Sequence, residues 1–372
     1  MYLFIRSSTN PGPRVSRIIK YFASNKKNIV YLSPLRSGDD VNESFRDLGN
    51  LGTYDYFDGQ GILKYMIFLL KTNYIISKKI IFNRKKIRFI HFSDLEVILA
   101  GAILCKIFGI SFVYNIHDNF FQRYDFNRVL SSFLKYLETF FILISDKVFV
   151  PESFRSDAYP KFVTKKIKVI KNFPDFDIRS NHIPFTEDYI SMFYGGWISP
   201  NRSLNHYFDL ADGLIRKGFL VKLNVCGWGD KGYIEKLKDI SERKGIKFNY
   251  FGQISQSDVI DHLKSADLSI AYYNPNKVIN IFAASNKIPE IIGSNTILVT
   301  NKHTKISEKI KPYKISLQFD ESPLEILGDL TDLINNKDQV IDFTKRARSF
   351  YLKEYNSEKL KSEISRNLHE YV

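Results

Sequence analysis

The sequence predicts an α/β protein with two Rossmann-like, doubly wound domains that face a cleft. Short apolar segments rich in β-branched residues alternate with amphipathic segments along most of the 372-residue chain, and such repeats form parallel sheets with right-handed crossovers. The alternation stops at the polar, proline-containing stretch 171–187 and then restarts, which is typical of a linker. A chain of this length also exceeds the usual size of one domain.

Each half of the chain has its own set of predicted elements. Before the linker, strands are predicted at 2–6, 28–32, 87–92, 111–116, 146–150 and 166–170, and helices at 14–23, 61–77, 95–108 and 128–144. After it, strands are predicted at 191–196, 220–227, 247–252, 268–273 and 296–300, and helices at 204–217, 233–244, 259–264, 286–292, 323–334, 340–351 and 357–371. Because ligands of such sheets bind at the carboxyl ends of strands, the loops after strands are the candidate sites.

The composition is that of an ordinary globular protein, with 44% hydrophobic and 25% charged residues, and it argues against disorder. Cys105 and Cys226 fit no metal-binding spacing and are predicted to be buried, reduced thiols. No uninterrupted apolar run reaches the ~18 residues of a spanning helix, and the first residues lack a signal-peptide pattern. We therefore expect a cytoplasmic protein.

The net charge of +14 is unevenly distributed along the chain. Residues 1–180 hold 28 Lys and Arg against 16 Asp and Glu, whereas residues 181–372 hold 26 against 24. The basic half includes KKIIFNRKKIR at 78–88, next to the apolar stretch 62–76. This pattern is typical of helices at an anionic membrane surface, and a solvated basic face is the alternative. Nucleic acid is not expected as a partner, because no helix-turn-helix, zinc-finger or RNA-binding signature is present.

The segment VCGWGDKGY at 225–233 contains the pattern G-x-G-x-x-G at Gly227, Gly229 and Gly232. A dinucleotide fingerprint would also need an acidic residue at the end of the next strand, to bind a ribose. That strand ends instead at Gly252 and Gln253, so a dehydrogenase is disfavoured. The loop can still hold a phosphate where a helix begins, or it can be a tight turn that needs positive φ.

Two further loops of the same half have chemistry suited to a nucleoside diphosphate. Gly195 and Gly196 end a strand, and Arg202 stands just before a helix, where its guanidinium can bind a diphosphate. In AASNKIPEIIG at 283–293, Lys287 adds a cation and Glu290 can accept hydrogen bonds from a ribose diol. Taken singly, each loop also fits a turn or a capped helix. Together they predict a site for a nucleoside diphosphate that carries another group.

Four segments of the second half resemble, in order and spacing, the GT-B glycosyltransferases similar to glycosyltransferase family 4. They are YGGWISPNRSL, LNVCGWGDKGY, FNYFGQISQSDVIDHLKSADLSIAYY and NIFAASNKIPEIIGSNTILVTN. The resemblance covers about residues 190–302 and extends more weakly to VYNIHDNF and VIKNFPDF. It implies an N-terminal acceptor-side domain at 1–180, a nucleotide-sugar-binding domain at 181–352, and a terminal helix at 353–372 that crosses back to the N-terminal domain.

The resemblance also implies roles for individual residues. Arg202 and Lys287 match the cations on the donor diphosphate, and Glu290 matches the acid that binds the nucleotide ribose. The other implied donor-site residues are Gly195, Gly196, Gly227, Gly229, Gln253, Ile254, Ser285 and Asn286. The sequence departs from the family at Phe282, where many members have Glu, and at Trp197, where Arg is common. The missing carboxylate leaves the sugar contacts and the anomeric outcome open.

On the acceptor side, YNIHDNF places His117 and Asp118 just past a strand end. By resemblance, His117 contacts the transferred sugar. Asp118 can serve as the base for an acceptor hydroxyl if the enzyme inverts, or it can simply cap a turn. The first strand-end loop, with Asn10, Gly12 and Arg14, is a candidate for contact with the acceptor or its phosphate.

These observations predict a metal-independent glycosyltransferase with a nucleotide diphosphate sugar as substrate and no cofactor. By family analogy, the expected acceptor is a polyprenyl-diphosphate-linked or other glycan of bacterial O-antigen, capsule or exopolysaccharide synthesis. The basic first half would then lie at the inner face of the cell membrane. Two alternatives stay open: a nucleotide-sugar epimerase of similar shape, and a non-catalytic module that binds membrane or nucleic acid.

Overall fold

The computed structural model describes residues 1–35, 50–55, 61–124, 126–172, 178, 180–200 and 204–372. The chain divides into two compact units. The first comprises Met1–Asp175 together with Ser357–Val372, and the second comprises Phe176–Asn356. Among the described helices, none has the length and apolarity needed to cross a membrane.

The first unit contains a parallel sheet of seven strands in the order β3-β2-β1-β4-β5-β6-β7. The strands are β1 Tyr2–Arg6, β2 Ile29–Leu35, β3 Asn50–Asp55, β4 Phe89–Ser93, β5 Ser111–Asn115, β6 Lys147–Val150 and β7 Ile167–Val169. The helices are α1 Gly12–Ser24, α2 Ile62–Asn83, α3 Leu95–Phe108, α4 Arg128–Ile144, α5 Lys161–Thr164 and the C-terminal α14 Ser357–Leu368.

Two helical layers cover this sheet. One core contains buried residues of α2 to α5, such as Ile76, Ala102 and Phe141, packed on one face of the sheet. On the other face, Ile18 of α1 and Leu368 of α14 share a second core. The C-terminal segment is held there by polar contacts as well, since Lys147 Nζ donates to the backbone oxygen of Asn367 at 2.7 Å.

The second unit contains a parallel sheet of six strands in the order β10-β9-β8-β11-β12-β13. The strands are β8 Tyr189–Gly195, β9 Leu220–Cys226, β10 Lys247–Tyr250, β11 Leu268–Ala271, β12 Ile297–Asn301 and β13 Leu317–Phe319. The helices are α6 Leu204–Arg216, α7 Lys231–Lys244, α8 Gln256–Lys264, α9 Val278–Ile281, α10 Lys287–Gly293, α11 Lys305–Ile310, α12 Leu327–Ile334 and α13 Lys337–Glu354.

Both sheets have the doubly wound strand order. In each, the chain first winds outward from the central strand, β1 or β8, and then crosses to its other side. The loops after these central strands and their neighbours therefore gather at one edge of each sheet, where α/β proteins bind ligands. The predicted alternation of strands and helices is confirmed, and so is the burial of the free thiols of Cys105 and Cys226.

Two strands were not predicted from the sequence, and both are edge strands. β3 includes Gly52, and β13 is only three residues long. An edge strand pairs on one side only and needs less apolar surface than a central strand. Neither segment therefore shows the continuous apolar pattern on which the prediction of a buried strand depends.

Candidate functional site

In the second unit, backbone hydrogen bonds join the loops that follow β8, β9 and β10. Gly196 N donates to Cys226 O at 3.0 Å, and Ile198 N donates to Trp228 O at 2.8 Å. Gly227 N in turn donates to Gly252 O at 2.7 Å. The three loops thus continue the sheet beyond its strand ends and form one connected surface.

The glycines of the 225–233 segment are required by this close contact of two backbones. Gly227 has φ +133°, and a Cβ there would lie 1.8 Å from Gly196 O. At Gly229, a Cβ would lie 2.2 Å from Ile198 O. At Gly232 a Cβ would meet no backbone atom, and its nearest neighbour would be the side-chain atom Asp230 Oδ1 at 3.3 Å. The first two glycines therefore serve loop packing, and the amides of Gly196 and Gly227 already donate to carbonyls.

A cavity of about 390 Å³ opens beside these loops. Gly227, Gly229 and Gln253 line it together with Trp228, which is 57% exposed. Tyr250 OH donates a hydrogen bond to Gly227 O at 3.0 Å and so joins two residues that line this cavity. An exposed indole beside an amide side chain can stack on a nucleobase and bond to its edge. Ile254, which is half-buried, follows Gln253 in the chain.

Gly195, Lys287 and Glu290 meet next to this surface, where they line one small cavity. The Lys287 ammonium lies 4.6 Å from the centroid of the Tyr194 ring. A Cβ added to Gly196 would be 3.5 Å from Lys287 Nζ. The cation therefore stands directly over the glycine loop after β8, where a diphosphate oxygen would find a positive partner.

Glu290 is a buried carboxylate with an exposed fraction of 7%. Its Oε1 accepts a hydrogen bond from Gln256 Nε2 at 3.0 Å. Burial raises the pKa of Glu290, and the Gln256 hydrogen bond and the Lys287 charge oppose this only in part. A desolvated acceptor of this kind bonds strongly to a hydroxyl donor that reaches it.

Two other predicted residues, Ser285 and Asn286, lie just before Lys287 in the chain. Asn286 directly precedes α10, and Ser285 Oγ accepts a hydrogen bond from the backbone N–H of Lys287 at 3.1 Å. A third, Arg202, lies outside the described residues.

In the first unit, polar side chains converge where β1, β4 and β5 end. Arg6, Ser93 and Asn115 are in register across these strands. Asp94 comes next, in the left-handed region at φ +78° just before α3. Its Oδ1 lies 3.0 Å from His117 Nδ1, and its Oδ2 accepts from Ser7 Oγ at 3.1 Å. Non-glycine residues in that backbone region are uncommon and cluster at functional sites.

The Asp94–His117 pair fixes the tautomer of the histidine. Burial, together with the charge of Arg6, lowers the pKa of His117 to about 4, although Asp94 opposes this shift. Burial would raise the pKa of Asp94, but His117 and Arg6 lower it overall. At neutral pH a neutral imidazole therefore donates from Nδ1 to an ionised carboxylate. Nε2 is left as a buried acceptor that has no hydrogen-bond partner among the described residues.

Asp118 is held by a buried cation. Its Oδ1 accepts from the Arg155 guanidinium at 2.7 Å, and the side chain of Asp118 is 43% exposed whereas that of Arg155 is 2% exposed. The carboxylate is thus fixed in place with its outer side open to a ligand.

The three predicted acceptor residues have different environments. Asn10 is exposed, and its backbone oxygen accepts from Arg6 at 2.8 Å. Gly12 has φ +70°, and a Cβ there would lie 2.7 Å from Arg6 Nη1. Arg14 is only 1% exposed, and it donates to Ile116 O at 2.8 Å and to Ile170 O at 3.4 Å.

For Arg14, this environment corrects the expectation of an acceptor contact. Its guanidinium holds backbone carbonyls next to β5 and β7, and burial lowers its pKa to about 9. Arg14 is therefore a structural residue of the first unit.

Asp94, Gln256 and Trp228 belong to the candidate site but were not assigned to it from the sequence. Asp94 and Gln256 both directly follow strand ends or strand-end loops, which is the available signal. The signal for Trp228 is its position between two glycines of the loop pattern. Both tryptophans of the chain, Trp197 and Trp228, are substantially exposed in these loops.

Several solved structures share this architecture over the full chain. The HepE protein of Anabaena in complex with UDP-glucose is 14% identical, with 99% of each chain covered and a TM-score of 0.68. Sucrose-phosphate synthase of Thermosynechococcus elongatus is 10% identical over 100% of this chain and 98% of its own, with a TM-score of 0.72. The trehalose-6-phosphate protein of E. coli bound with UDP-2-fluoro glucose is 9% identical over 100% and 99%, with a TM-score of 0.69.

These similarities establish the fold. They confirm that the chain is an α/β protein of two Rossmann-like domains with the GT-B architecture. No protein-family model and no curated protein matches the sequence.

Proposed function

We propose that the protein is a glycosyltransferase that moves a sugar from a nucleotide diphosphate sugar to a lipid-linked or polysaccharide acceptor. The acceptor would belong to bacterial surface glycan synthesis at the inner face of the cell membrane. The observation that carries the donor site is the grouping of Gly195, Gly196, Lys287 and Glu290 beside an aromatic cavity at the strand ends of the second unit.

Each part of the donor would have its own partner in this unit. The base would stack on Trp228 and bond to Gln253, and the ribose hydroxyls would donate to Glu290. The diphosphate would lie over Gly196 against Lys287, with Arg202 as a second cation. UDP is the first nucleotide to test, because the structurally similar HepE protein has been solved with UDP.

The chemical step would depend on stabilising charge at the leaving diphosphate. As the bond from the sugar to the diphosphate oxygen breaks, negative charge grows on that oxygen, and Lys287 and Arg202 would offset it. This chemistry requires no divalent metal, so activity should survive chelation with EDTA.

The first unit would contribute groups for the sugar and the acceptor. His117 Nε2, with its lone pair fixed by Asp94, would accept a hydrogen bond from a sugar hydroxyl. Asp118 would take the proton of the acceptor hydroxyl if the reaction inverts. Asn10 and Gly12 stay candidates for contact with the acceptor.

The test uses Glu290→Ala and a matched control, Glu308→Ala, which removes an exposed carboxylate of the same unit. UDP or GDP should raise the melting temperature of the wild type and of Glu308→Ala, because a ligand stabilises the state that binds it. Glu290→Ala should lose the shift and the use of nucleotide sugars while its circular dichroism stays native. Near-normal turnover of Glu290→Ala would contradict the proposed role.

A panel of nucleotide sugars, with product detection by mass spectrometry, identifies the reaction. Release of UDP or GDP that depends on a glycan acceptor supports a transferase. Isomerisation of the donor sugar without an acceptor would instead identify an epimerase.

A further inference from the structure

The helices α2, α3 and α4 of the first unit expose large apolar side chains on the side away from their core. The exposed residues are Leu63, Met66, Ile67, Leu70, Tyr74, Ile81, Phe82, Ile103, Ile107, Phe108, Val129, Leu130, Phe133, Tyr136, Phe140 and Leu143. Leu63, Phe82 and Val129 are each at least 75% exposed. We call this set the outer apolar face. Contiguous exposed apolar surface of this kind marks an interaction site in a folded protein.

The spacing of these residues matches the helical period. On α2, exposed apolar residues recur at 63, 67, 70, 74 and 81, and on α4 they recur at 129, 133, 136, 140 and 143. These intervals of three, four and seven place each set along one side of its helix. The opposite sides bury Ile76 and Ile80 of α2, and Phe141 and Ile142 of α4. Both helices are therefore apolar toward the core and also toward the outside.

The exposed charged side chains of α2, α3 and α4 are all positive. The only carboxylates of α2, α3 and α4 are Glu96 and Glu138, and both are buried. The exposed cations include Lys64, Lys78, Lys106 and Arg128, and the turn after α2 adds Arg84, Lys85, Lys86 and Arg88. The helices of the outer apolar face therefore expose cations and no carboxylate of their own, and the nearby Asp146, which follows α4, is paired with Lys106 at 3.1 Å.

We propose that the outer apolar face docks on the surface of an anionic lipid bilayer, with α2 and α4 lying in the plane of the interface. Apolar side chains would enter the acyl boundary while the surrounding Lys and Arg bind anionic headgroups. This rests on the proposed function, because a lipid-linked acceptor would then be presented where the first unit is anchored. A second copy of the chain fits this face poorly, since a symmetric contact would bring the same cations together.

The experiment measures co-sedimentation of the full chain with vesicles of phosphatidylglycerol and phosphatidylcholine, and with vesicles of phosphatidylcholine alone. We expect binding to the anionic vesicles that weakens as salt screens the cations. The double variant Leu70→Glu with Phe133→Glu should lower the partition coefficient at least tenfold. Both residues are exposed, so the melting temperature should stay close to that of the wild type.

The matched control is Leu220→Glu with Leu352→Glu, which changes two exposed leucines of the second unit. It should bind vesicles like the wild type. Equal binding by the wild type and the Leu70→Glu, Phe133→Glu variant would overturn the proposal, and so would a lack of binding to anionic vesicles at low salt. If light scattering shows that the wild type is a dimer and that the Leu70→Glu, Phe133→Glu variant is a monomer, the outer apolar face binds a second copy of the chain instead of a bilayer.

Donor binding is measured in the same samples by the UDP-induced melting shift. Loss of vesicle binding with an intact UDP shift separates the docking face from the donor site. If the wild type binds vesicles but no nucleotide shifts its melting temperature, the proposed transferase activity is contradicted. The proposal that the outer apolar face docks on a bilayer is then still supported.

Discussion

The two units share one strand order, but backbone contacts form the candidate site of the second unit and side-chain contacts form that of the first. In the second unit, glycine backbones pack against each other, and a Cβ at Gly227 would lie 1.8 Å from Gly196 O. Few side-chain charges join them, chiefly Lys287 and Glu290. In the first unit, the strand ends are linked by polar and charged side chains, among them Asp94 with His117 and Asp118 with Arg155.

This difference shows which kind of site can be recognised from sequence. A backbone site leaves a local record, because glycine is needed wherever two chains approach too closely for a Cβ. A network of charged side chains leaves a weaker signal, the position of its members just after strands, because the residues that pair are far apart in sequence. Asp94 and His117 are separated by 23 positions, and Asp118 and Arg155 by 37. Only the sheet order brings such pairs together.

We expect the largest effect from a substitution that disrupts the close contact between the glycine loops of the second unit. Gly227→Ala places a methyl group against Gly196 O and forces a side chain into φ +133°. We expect loss of UDP binding and a fall in the free energy of unfolding of roughly 4 kcal/mol or more. Calorimetry and denaturant unfolding measure the two effects.

Gly232→Ala is the matched control, since it alters the same G-x-G-x-x-G pattern at a position where a methyl group would meet only the Asp230 side chain, at 3.3 Å. It should keep UDP affinity within about twofold of the wild type, because small changes without strain are usually tolerated. If both variants bind UDP equally well, close packing of the loops is not what the donor site requires.

A smaller effect is expected at the charged network of the first unit. Asp94→Asn keeps the size and shape of the side chain but removes the negative charge beside His117. We expect kcat to fall by roughly 10- to 100-fold, the range typical when a histidine loses the carboxylate that fixes its tautomer and orientation. UDP affinity should be unchanged, because the residues proposed to bind UDP all lie in the second unit. Steady-state kinetics and calorimetry separate these two quantities.

Asp157→Asn, which changes an exposed carboxylate of the first unit, should behave like the wild type. Should Asp94→Asn lower the melting temperature while kcat holds, Asp94 would be a structural residue and not one that positions His117.

The smallest effect is a pH dependence from a buried carboxyl of the first unit. Glu138 accepts hydrogen bonds from Tyr114 OH at 2.9 Å and Tyr159 OH at 2.8 Å, and burial raises its pKa to about 7. The folded protein thus holds this proton more tightly than the unfolded chain. Stability from Glu138 is present below the unfolded pKa of about 4.5 and is lost as pH rises through 7.

Glu138→Gln should remove that dependence. Relative to this variant, the free energy of unfolding of the wild type should fall by on the order of 2–3 kcal/mol between pH 4.5 and pH 8. Denaturant unfolding at a series of pH values measures the difference. Parallel stability curves for the two proteins would show that Glu138 does not titrate in this range.

Most of the fold could be predicted because its elements have strong local patterns. The predicted helices 95–108 and 128–144 match α3 and α4 in the structure, since a long apolar period needs no knowledge of tertiary contacts. The edge strands β3 and β13 could not be predicted, because β3 mixes polar residues and Gly52 with its apolar residues and β13 is only three residues long. The outer apolar face could not be predicted either, because helical periodicity does not show which apolar side of a helix is buried and which is exposed.

The sequence by itself determined most of the strands and helices and their order, the restart of the pattern that gives two sheets, and the glycine loops of the second unit. These follow from hydrophobic period and from the steric need for glycine, both of which act between neighbours in the chain. Only the tertiary structure decided that Arg14 is buried, that Asp94 orients His117, and that α2 and α4 keep an apolar side exposed. Burial and pairing depend on residues brought together by the sheets, and distance along the chain does not encode them.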